Sequence, residues 1–310
     1  MSAKRVEVVV NPAAGQPQPI LHTLNQVFGE AGIRWDVSIT QEPGDGTRLA
    51  REALERGADV VAACGGDGTV MEVGNALVGS RVPLAILPGG TGDVLAVELG
   101  IPPVLADAAR LACSPDAVER HIDAGQVGDH YFLLRLVLGF TARQIGLTTR
   151  ELRDRFGKLA YLIAGFQALG ETAPARYRLS LDGQEEEYEA VTGVVANAGR
   201  LGIYDLTISP HTAIDDGLLD VLAVRSMDLA SLSSVVASIV AATPDQANLR
   251  YWQGREIRIE SDPPQPVVID GEDCGETPIE ITVMPGALIV LVPPVEESAG
   301  QEAEPLVPEG

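Results

Sequence analysis

Between residues 5 and 93 the chain alternates four short β-rich runs with stretches of helical periodicity, and each run ends in a polar loop that carries glycine. The runs are "RVEVVV" (5–10), "RWDVSIT" (34–40), "DVVAAC" (59–64) and "PLAIL" (83–87). The first helical stretch places Ile20, Leu21, Leu24, Val27 and Phe28 at three- and four-residue spacing, the period of one helix face. Strict β/α alternation demands crossover connections, so it predicts a parallel sheet with helices on both faces. Ligands of such sheets bind beyond the carboxyl ends of the strands, which here are the loops "NPAAG" (11–15), "TQEPGDG" (40–46), "GGDGT" (65–69) and "PGGTGD" (88–93).

After about residue 116 the pattern changes to closely spaced strand-like runs joined by turn signals. Asp182-Gly183, between two alternating runs, has hairpin chemistry, and "VVIDGED" and "IEITVMPGALIVLVP" follow. Helical patterns interrupt at about 150–170 and 228–242. The expected architecture is an α/β nucleotide-binding domain over residues 1–121, then an antiparallel β-sandwich acceptor domain over 122–295. The acidic end, 296–310, has no periodicity and reads as a disordered tail.

A net charge of −22 excludes a nucleic-acid binder, because affinity for a phosphate backbone needs a basic face. Only Lys4 and Lys158 are lysines, and neither follows a glycine loop in a Walker pattern. Any bound phosphate must therefore be held by backbone N–H groups, helix N-termini and metal. Cys64, Cys113 and Cys274 form no CxxC pair and fit reduced, buried thiols. With no long apolar span, and a first strand that starts at once, the chain reads as cytoplasmic.

In "GGDGTVMEVGNAL", Thr69 stands where a helix begins, so the glycines before it let free N–H groups face an anion. "PGGTGDVLAVELG" repeats the arrangement, with Thr91 opening the helix. No GxGxxG follows the first strand, which argues against a dinucleotide-dependent dehydrogenase.

"VVVNPAAG", "GGDGTVMEVGNAL", "LPGGTGDVLAVELGIP", "DDGLLDV" and "VVIDGEDCGETPIEITVMPGALIVLVP" occur in the order that the diacylglycerol kinase catalytic family has them. The chain resembles that family, which includes bacterial lipid kinases and sphingosine kinases, from about residue 5 to 294. The resemblance implies an ATP- and Mg²⁺-dependent lipid kinase of phospholipid metabolism, with a hydroxyl of a membrane lipid entering the cleft between the domains. It implies nucleotide contacts at Asn11, Pro12, Ala13, Ala14, Gly15, Thr40, Gly65, Gly66, Asp67, Gly68, Thr69, Val70, Met71 and Thr91. It also implies a separate metal site made of Asp216 and the carbonyls of Ala213 and Leu218; the same residues read alone are an acidic turn.

Asp67 would then hold the nucleotide's Mg²⁺, directly or through water; alternatively it is the base, or caps the helix that follows it. The family assigns the base to the "DGE" triplet, with Glu272 as proton acceptor and Asp270 orienting it or linking it to the metal. Two positions depart from the family: Asp93 replaces an asparagine, and Thr141 an aspartate. They favour a rival reading, a catalytically weak nucleotide- or lipid-binding regulator. An enzyme like NAD kinase, with a soluble acceptor, is the other rival. Arg143, Arg150, Arg153, Arg155 and Lys158 precede an apolar stripe of Leu152, Phe156, Leu159, Ile163 and Phe166. The segment 143–166 is either a peripheral contact with an anionic membrane or a core-facing helix. These residues fix neither the lipid nor the oligomeric state.

Overall fold

The structure is a computed structural model that describes residues 4–15, 18–90, 92–140, 173–199, 212–226 and 248–294. Thr91, Thr141, the segment 143–166, both interrupting helical patterns and the tail from 296 lie outside these residues. The first part runs β1 (Arg5–Val10), α1 (Ile20–Glu30), β2 (Arg34–Ile39), α2 (Asp45–Glu55), β3 (Val60–Gly65), α3 (Asp67–Leu77), β4 (Leu84–Pro88), α4 (Val94–Glu98) and α5 (Leu105–Cys113). The second runs β5 (Val118–Val127), β6 (His130–Phe132), β7 (Arg135–Leu138), β8 (Ala175–Leu181), β9 (Gln184–Ala190), β10 (Thr192–Ala196), β11 (Leu219–Val224), β12 (Leu249–Gly254), β13 (Glu256–Asp262), β14 (Pro266–Ile269), β15 (Glu272–Glu276) and β16 (Ile279–Val292).

Strands β2, β1, β3 and β4 lie side by side in that order, all parallel. The chain leaves β1 toward β2 and returns past it to β3, so right-handed crossovers place α1 on one face and α2 and α3 on the other. The helix contacts agree: α1 packs with α5, and α2 with α3. Leu24, Val27 and Phe28 of α1 are buried, whereas Leu21 falls outside the buried stripe and is exposed. The direction of progress across the sheet reverses at β1, and such sheets bind ligands beyond the carboxyl ends of the strands at that reversal.

β16 ties the two parts together. Its last residues pair with β4 in parallel at Val290 and with β5 antiparallel, while its first residues pair with β13. The parallel strands therefore continue through β16, β13, β8 and β9 into one ten-stranded sheet. β16 is long enough for both roles because a register shift between Met284 and Leu288 bends it midway. The hairpin of β8 and β9 turns at Asp182-Gly183, both at positive φ as a two-residue turn requires.

The second sheet, in the order β12-β11-β10-β7-β14-β15, packs against the antiparallel half of the first. Leu136, Leu138, Val195, Leu219 and Val221 meet Leu179, Ile257, Ile259 and Ile281 in the shared core. Because strand side chains alternate, the residues between these face outward. The register Gln253–Asp220–Ala196–Arg135 sets four of them in one row across the outer face.

Candidate active site

The three glycine loops after β1, β3 and β4 touch one another through bare backbone. Gly15, at φ +66, has no room for a side chain: a Cβ there would overlap the Gly89 carbonyl oxygen. A Cβ on Gly90 would stand 2.6 Å from Gly66 Cα, and one on Gly65 would stand 2.5 Å from Thr69 Oγ1. Most of these glycines thus serve loop-to-loop packing, a use the sequence reading did not distinguish from ligand approach. Gly68 differs, since a Cβ added there would meet nothing within 4 Å.

Asn11 fastens the first loop to the third strand and to α3. Its N–H donates to the Cys64 carbonyl at 2.9 Å, its Nδ2 donates to Thr69 Oγ1 at 3.1 Å, and its Oδ1 accepts the Ala13 N–H at 3.0 Å. Thr40 turns inward as well, its N–H donating to the Val10 carbonyl at 2.9 Å. Asn11 to Gly15, Thr40 and Gly65 to Met71 are therefore gathered at one edge of the sheet.

The helix N-termini at this edge are not equivalent. At α2, Asp45 accepts the N–H groups of Gln41 and Glu42 at 2.8 and 3.1 Å. Glu72, reaching over from α3, takes those of Gly44 and Gly46 at 2.9 and 2.7 Å. At α4, Asp67 Oδ1 accepts the Val94 N–H at 2.6 Å. The expected second anion cradle at 88–93 meets a competitor: α4 opens at Val94, and a carboxylate of the chain occupies its first N–H groups, while Thr91 itself lies outside the described residues. The helix capped by Asp67 is α4, not the one it starts. Among the described residues no side chain caps α3 at Gly66, and that start adjoins the open face at Gly68.

Asp67 and Asp93 lie close enough to feel each other's charge. Burial raises the pKa of both, and the charge of Asp67 pushes Asp93 up further. Asp93 sits at φ 46, a conformation that Asn and Asp tolerate, and its Oδ1 accepts the Gly90 N–H at 3.0 Å. Two desolvated carboxylates that repel each other are a fitting donor set for a hard divalent cation.

Asp270 and Gly271 form the two-residue turn between β14 and β15, at φ 45 and 97. The Asp270 carboxylate accepts the N–H groups of Leu133, Leu134 and Arg135 at 2.9, 3.2 and 2.8 Å. Burial nevertheless raises its pKa to about 6. Glu272, two residues on, is exposed at the start of β15. One residue of the triplet is locked in place and the other is open to solvent.

The "DDGLLD" segment is a turn held by Asp123, which the sequence reading did not single out. Asp123 is buried, and its carboxylate accepts the N–H groups of Gly217 and Gly286 at 2.6 and 2.7 Å. Asp216 Oδ1 accepts the Leu218 N–H at 2.9 Å, and its pKa is raised by burial and by the charges of Asp220 and Asp123. That negative field around an exposed carboxylate and the turn carbonyls of Ala213 and Leu218 fits a cation. Among the described residues no three His, Cys, Asp or Glu side chains cluster as a metal site, so carbonyls would have to complete the set.

Arg135 is a further residue the sequence reading missed. Its charge lowers the pKa of both Asp67 and Asp270, so it lies within electrostatic reach of both loops. The signal was an arginine inside the otherwise apolar run "FLLRLVLGF".

Two family models match the chain, one over each of its parts. Residues 5–127 match the diacylglycerol kinase catalytic domain, and residues 137–292 match the YegS C-terminal NAD kinase beta sandwich-like domain. The chain belongs to the diacylglycerol kinase family of lipid kinases. A Chromohalobacter salexigens protein named "probable lipid kinase YegS-like" is 31% identical over 92% of this chain and 92% of its own length. An uncharacterised Synechocystis protein is 30% identical over 85% of this chain, which spans 62% of that protein's length. A crystal structure titled a diacylglycerol kinase from Bacillus anthracis superposes with a TM-score of 0.76 at 26% identity, covering 95% of this chain and 99% of that one. Among the described residues of this kinase-family chain, no helix is long and apolar enough to cross a membrane.

Proposed function

We propose that this protein transfers the γ-phosphoryl group of ATP to a hydroxyl of a diacylglycerol-like membrane lipid, with Mg²⁺, in the cleft between the glycine loops and the DGE turn. The observation that carries the reading is the contrast among helix starts: α2 and α4 are closed by carboxylates, while α3 has an uncapped start beside the open face at Gly68. A phosphate chain fits there, held by backbone N–H groups and the helix dipole.

Asp67, with Asp93 beside it, would hold the nucleotide's Mg²⁺, and Asp216 with the carbonyls of Ala213 and Leu218 would hold a structural ion. When bound, the metal supplies the charge neutralisation that a site so poor in lysine lacks. Phosphoryl transfer otherwise asks for alignment. Glu272, exposed on the rim, accepts the proton of the lipid hydroxyl as its oxygen bonds to phosphorus and ADP leaves. Asp270, saturated by three N–H donors, fixes the turn that aims Glu272.

Incubating the protein with labelled ATP, Mg²⁺ and a fractionated lipid extract tests this. Label in a lipid fraction is the expected result. Label in NAD instead, or ATP binding with no transfer to any fraction, would overturn the reading in favour of a soluble acceptor or a regulator.

A further inference from the structure

We infer that strand β2 is an interface between two copies of this chain, which pair their β2 strands antiparallel about a two-fold axis at Val37 and so continue the first sheet across the contact. β2 ends that sheet, and among the described residues β1 is its one strand partner. The Arg34 N–H donates to the Lys4 carbonyl at 3.1 Å and the Thr40 N–H to the Val10 carbonyl at 2.9 Å. Residues of a parallel strand turn their backbone groups to alternate sides, so the even-numbered residues face β1. The N–H and C=O groups of Trp35, Val37 and Ile39 are left along the outer edge. Their side chains share a face as well. Trp35 packs edge-on to Phe28 of α1, ring centroids 5.7 Å apart, and Val37 and Ile39 follow it at a spacing of two. Val37, Ile39 and Leu21 of α1 are 38%, 50% and 52% exposed, and together they line one largely apolar groove of about 350 Å³.

Other sheet edges of the chain are guarded against a second strand. β9 carries Glu185, Glu186, Glu187 and Glu189, and β15 carries Glu272, Asp273 and Glu276, so a copy placed there would meet like charge. β12 is covered by β9 itself, through the rings of Trp252 and Tyr188 at 5.1 Å and the ion pair of Arg250 with Glu186 at 3.6 Å. β2 has no such guard: its register with β1 runs unbroken from Arg34 to Ile39, without proline or bulge. Its sequence is also complementary to itself, as a two-fold contact requires. With Val37 opposite Val37, Trp35 stands opposite Ile39, Asp36 opposite Ser38 and Arg34 opposite Thr40. Apolar side chains meet apolar ones, no like charges oppose, and the residues with free backbone groups become the hydrogen-bonded pairs. Sliding the register one way sets Asp36 against Asp36, and sliding it the other way sets Trp35 against Gln41. In the chosen register the charge of Asp36 is answered within its own chain by Arg5, at 3.2 Å. A bilayer would cover the apolar face but leave the edge N–H and C=O groups without partners. A second strand satisfies both.

Sedimentation velocity of the full chain, without lipid or detergent, tests the inference. The wild-type protein should sediment as a dimer that half-dissociates at about 10 µM or below. Val37→Lys sets two like charges directly opposite each other at the axis, so the dissociation constant should rise about 30-fold or more while the protein still melts cooperatively. Glu185→Lys, on the guarded edge β9, should leave the dimer as it is. Raising salt from about 0.05 to about 0.3 M should tighten the wild-type dimer, because screening weakens the repulsion between two chains of net charge −22. A dimer that loosens with salt is held by ion pairs that β2 does not supply, and overturns the assignment. So does a wild-type protein that is monomeric at about 100 µM, or a dimer that Val37→Lys leaves intact. Where Val37→Lys fails to fold, Ile39→Lys takes its place, and an undiminished dimer in that variant overturns the inference equally. A monomer that binds phosphatidylcholine vesicles, with binding abolished by Ile39→Lys, gives the face to a membrane and overturns it as well.

Discussion

Asp67 Oδ1 accepts the Val94 N–H at 2.6 Å, so the carboxylate that opens α3 also closes the first turn of α4. Two glycine loops are thereby locked together by one side chain. Its roles as cap and as proposed metal ligand separate under substitution. Asp67→Asn keeps an oxygen that can accept the Val94 N–H but carries no charge, so turnover should drop by about 10²-fold or more while the melting temperature changes little. Asp67→Ala should lose the cap as well, at about 1 kcal/mol. Calorimetric binding of Mg-ATP alongside thermal melts checks both, and an Asn variant with full activity would remove the metal from Asp67.

The glycine loops give a pair of opposite expectations. Gly15→Ala should disrupt the first loop, because its φ of +66 is strained for alanine and the added carbon overlaps the Gly89 carbonyl oxygen. Gly68→Ala has open space within a helix, so folding should be unaffected or stabilised by up to about 1 kcal/mol. ATP affinity should nevertheless fall, since the new methyl group faces the side where phosphate approaches. Melting curves and nucleotide titrations of the two proteins separate packing glycine from binding glycine. Unchanged ATP affinity in Gly68→Ala would move the phosphates away from α3.

Asp270 predicts a pH dependence whose sign follows from its burial. Its folded pKa is raised from 3.8 to about 6, so the native state holds this proton more tightly than the unfolded chain does. The contribution to stability is complete below the unfolded value, and is lost as pH rises through about 6. Asp270→Asn has no proton to titrate there. The wild-type melting temperature, measured relative to that variant, should therefore decline between pH 4 and 6 and then level off. A flat difference would mean that the three N–H donors cancel the effect of burial, and a difference that rises with pH that they outweigh it.

The alternation of β and α, the loops at the carboxyl edge and the hairpin turn at Asp182-Gly183 were legible because each is a local pattern with a local cause. β16 was legible as a strand but not as a seam. Pairing Val290 with Leu84 and Ile279 with Ile259 is a long-range choice that no window of sequence contains. Glu72 and Asp45 filling the start of α2 escaped for the same reason, since nothing in "VMEVG" points to Gly44 and Gly46. Arg135 did leave a trace, a charge in an apolar strand, but its meaning depends on which carboxylates the fold brings to it.

Glu272 carries the last prediction. It is exposed at the first position of β15, and its neighbour Asp270 spends both oxygens on the N–H groups of Leu133, Leu134 and Arg135. A carboxylate so engaged would give up a backbone bond to accept a proton from a lipid hydroxyl, whereas one on the rim loses nothing. The base is therefore expected at Glu272. Glu272→Gln keeps the shape of the side chain and removes its basicity, so kcat should fall by at least about tenfold, the lower range for loss of a general base being nearer 10². ATP affinity, set by the loops around α3, should stay within about twofold of wild type, and the melting temperature should not move, because an exposed side chain contributes little to the fold. Asp270→Asn should behave differently, losing activity together with stability, because its amide group would set a donor against the backbone donors that now bind a carboxylate. Steady-state kinetics on the active lipid fraction, paired with thermal melts of both variants, tells the two roles apart. Near-normal turnover in Glu272→Gln would transfer the base to Asp270 or Asp67 and leave Glu272 as a residue of an edge strand.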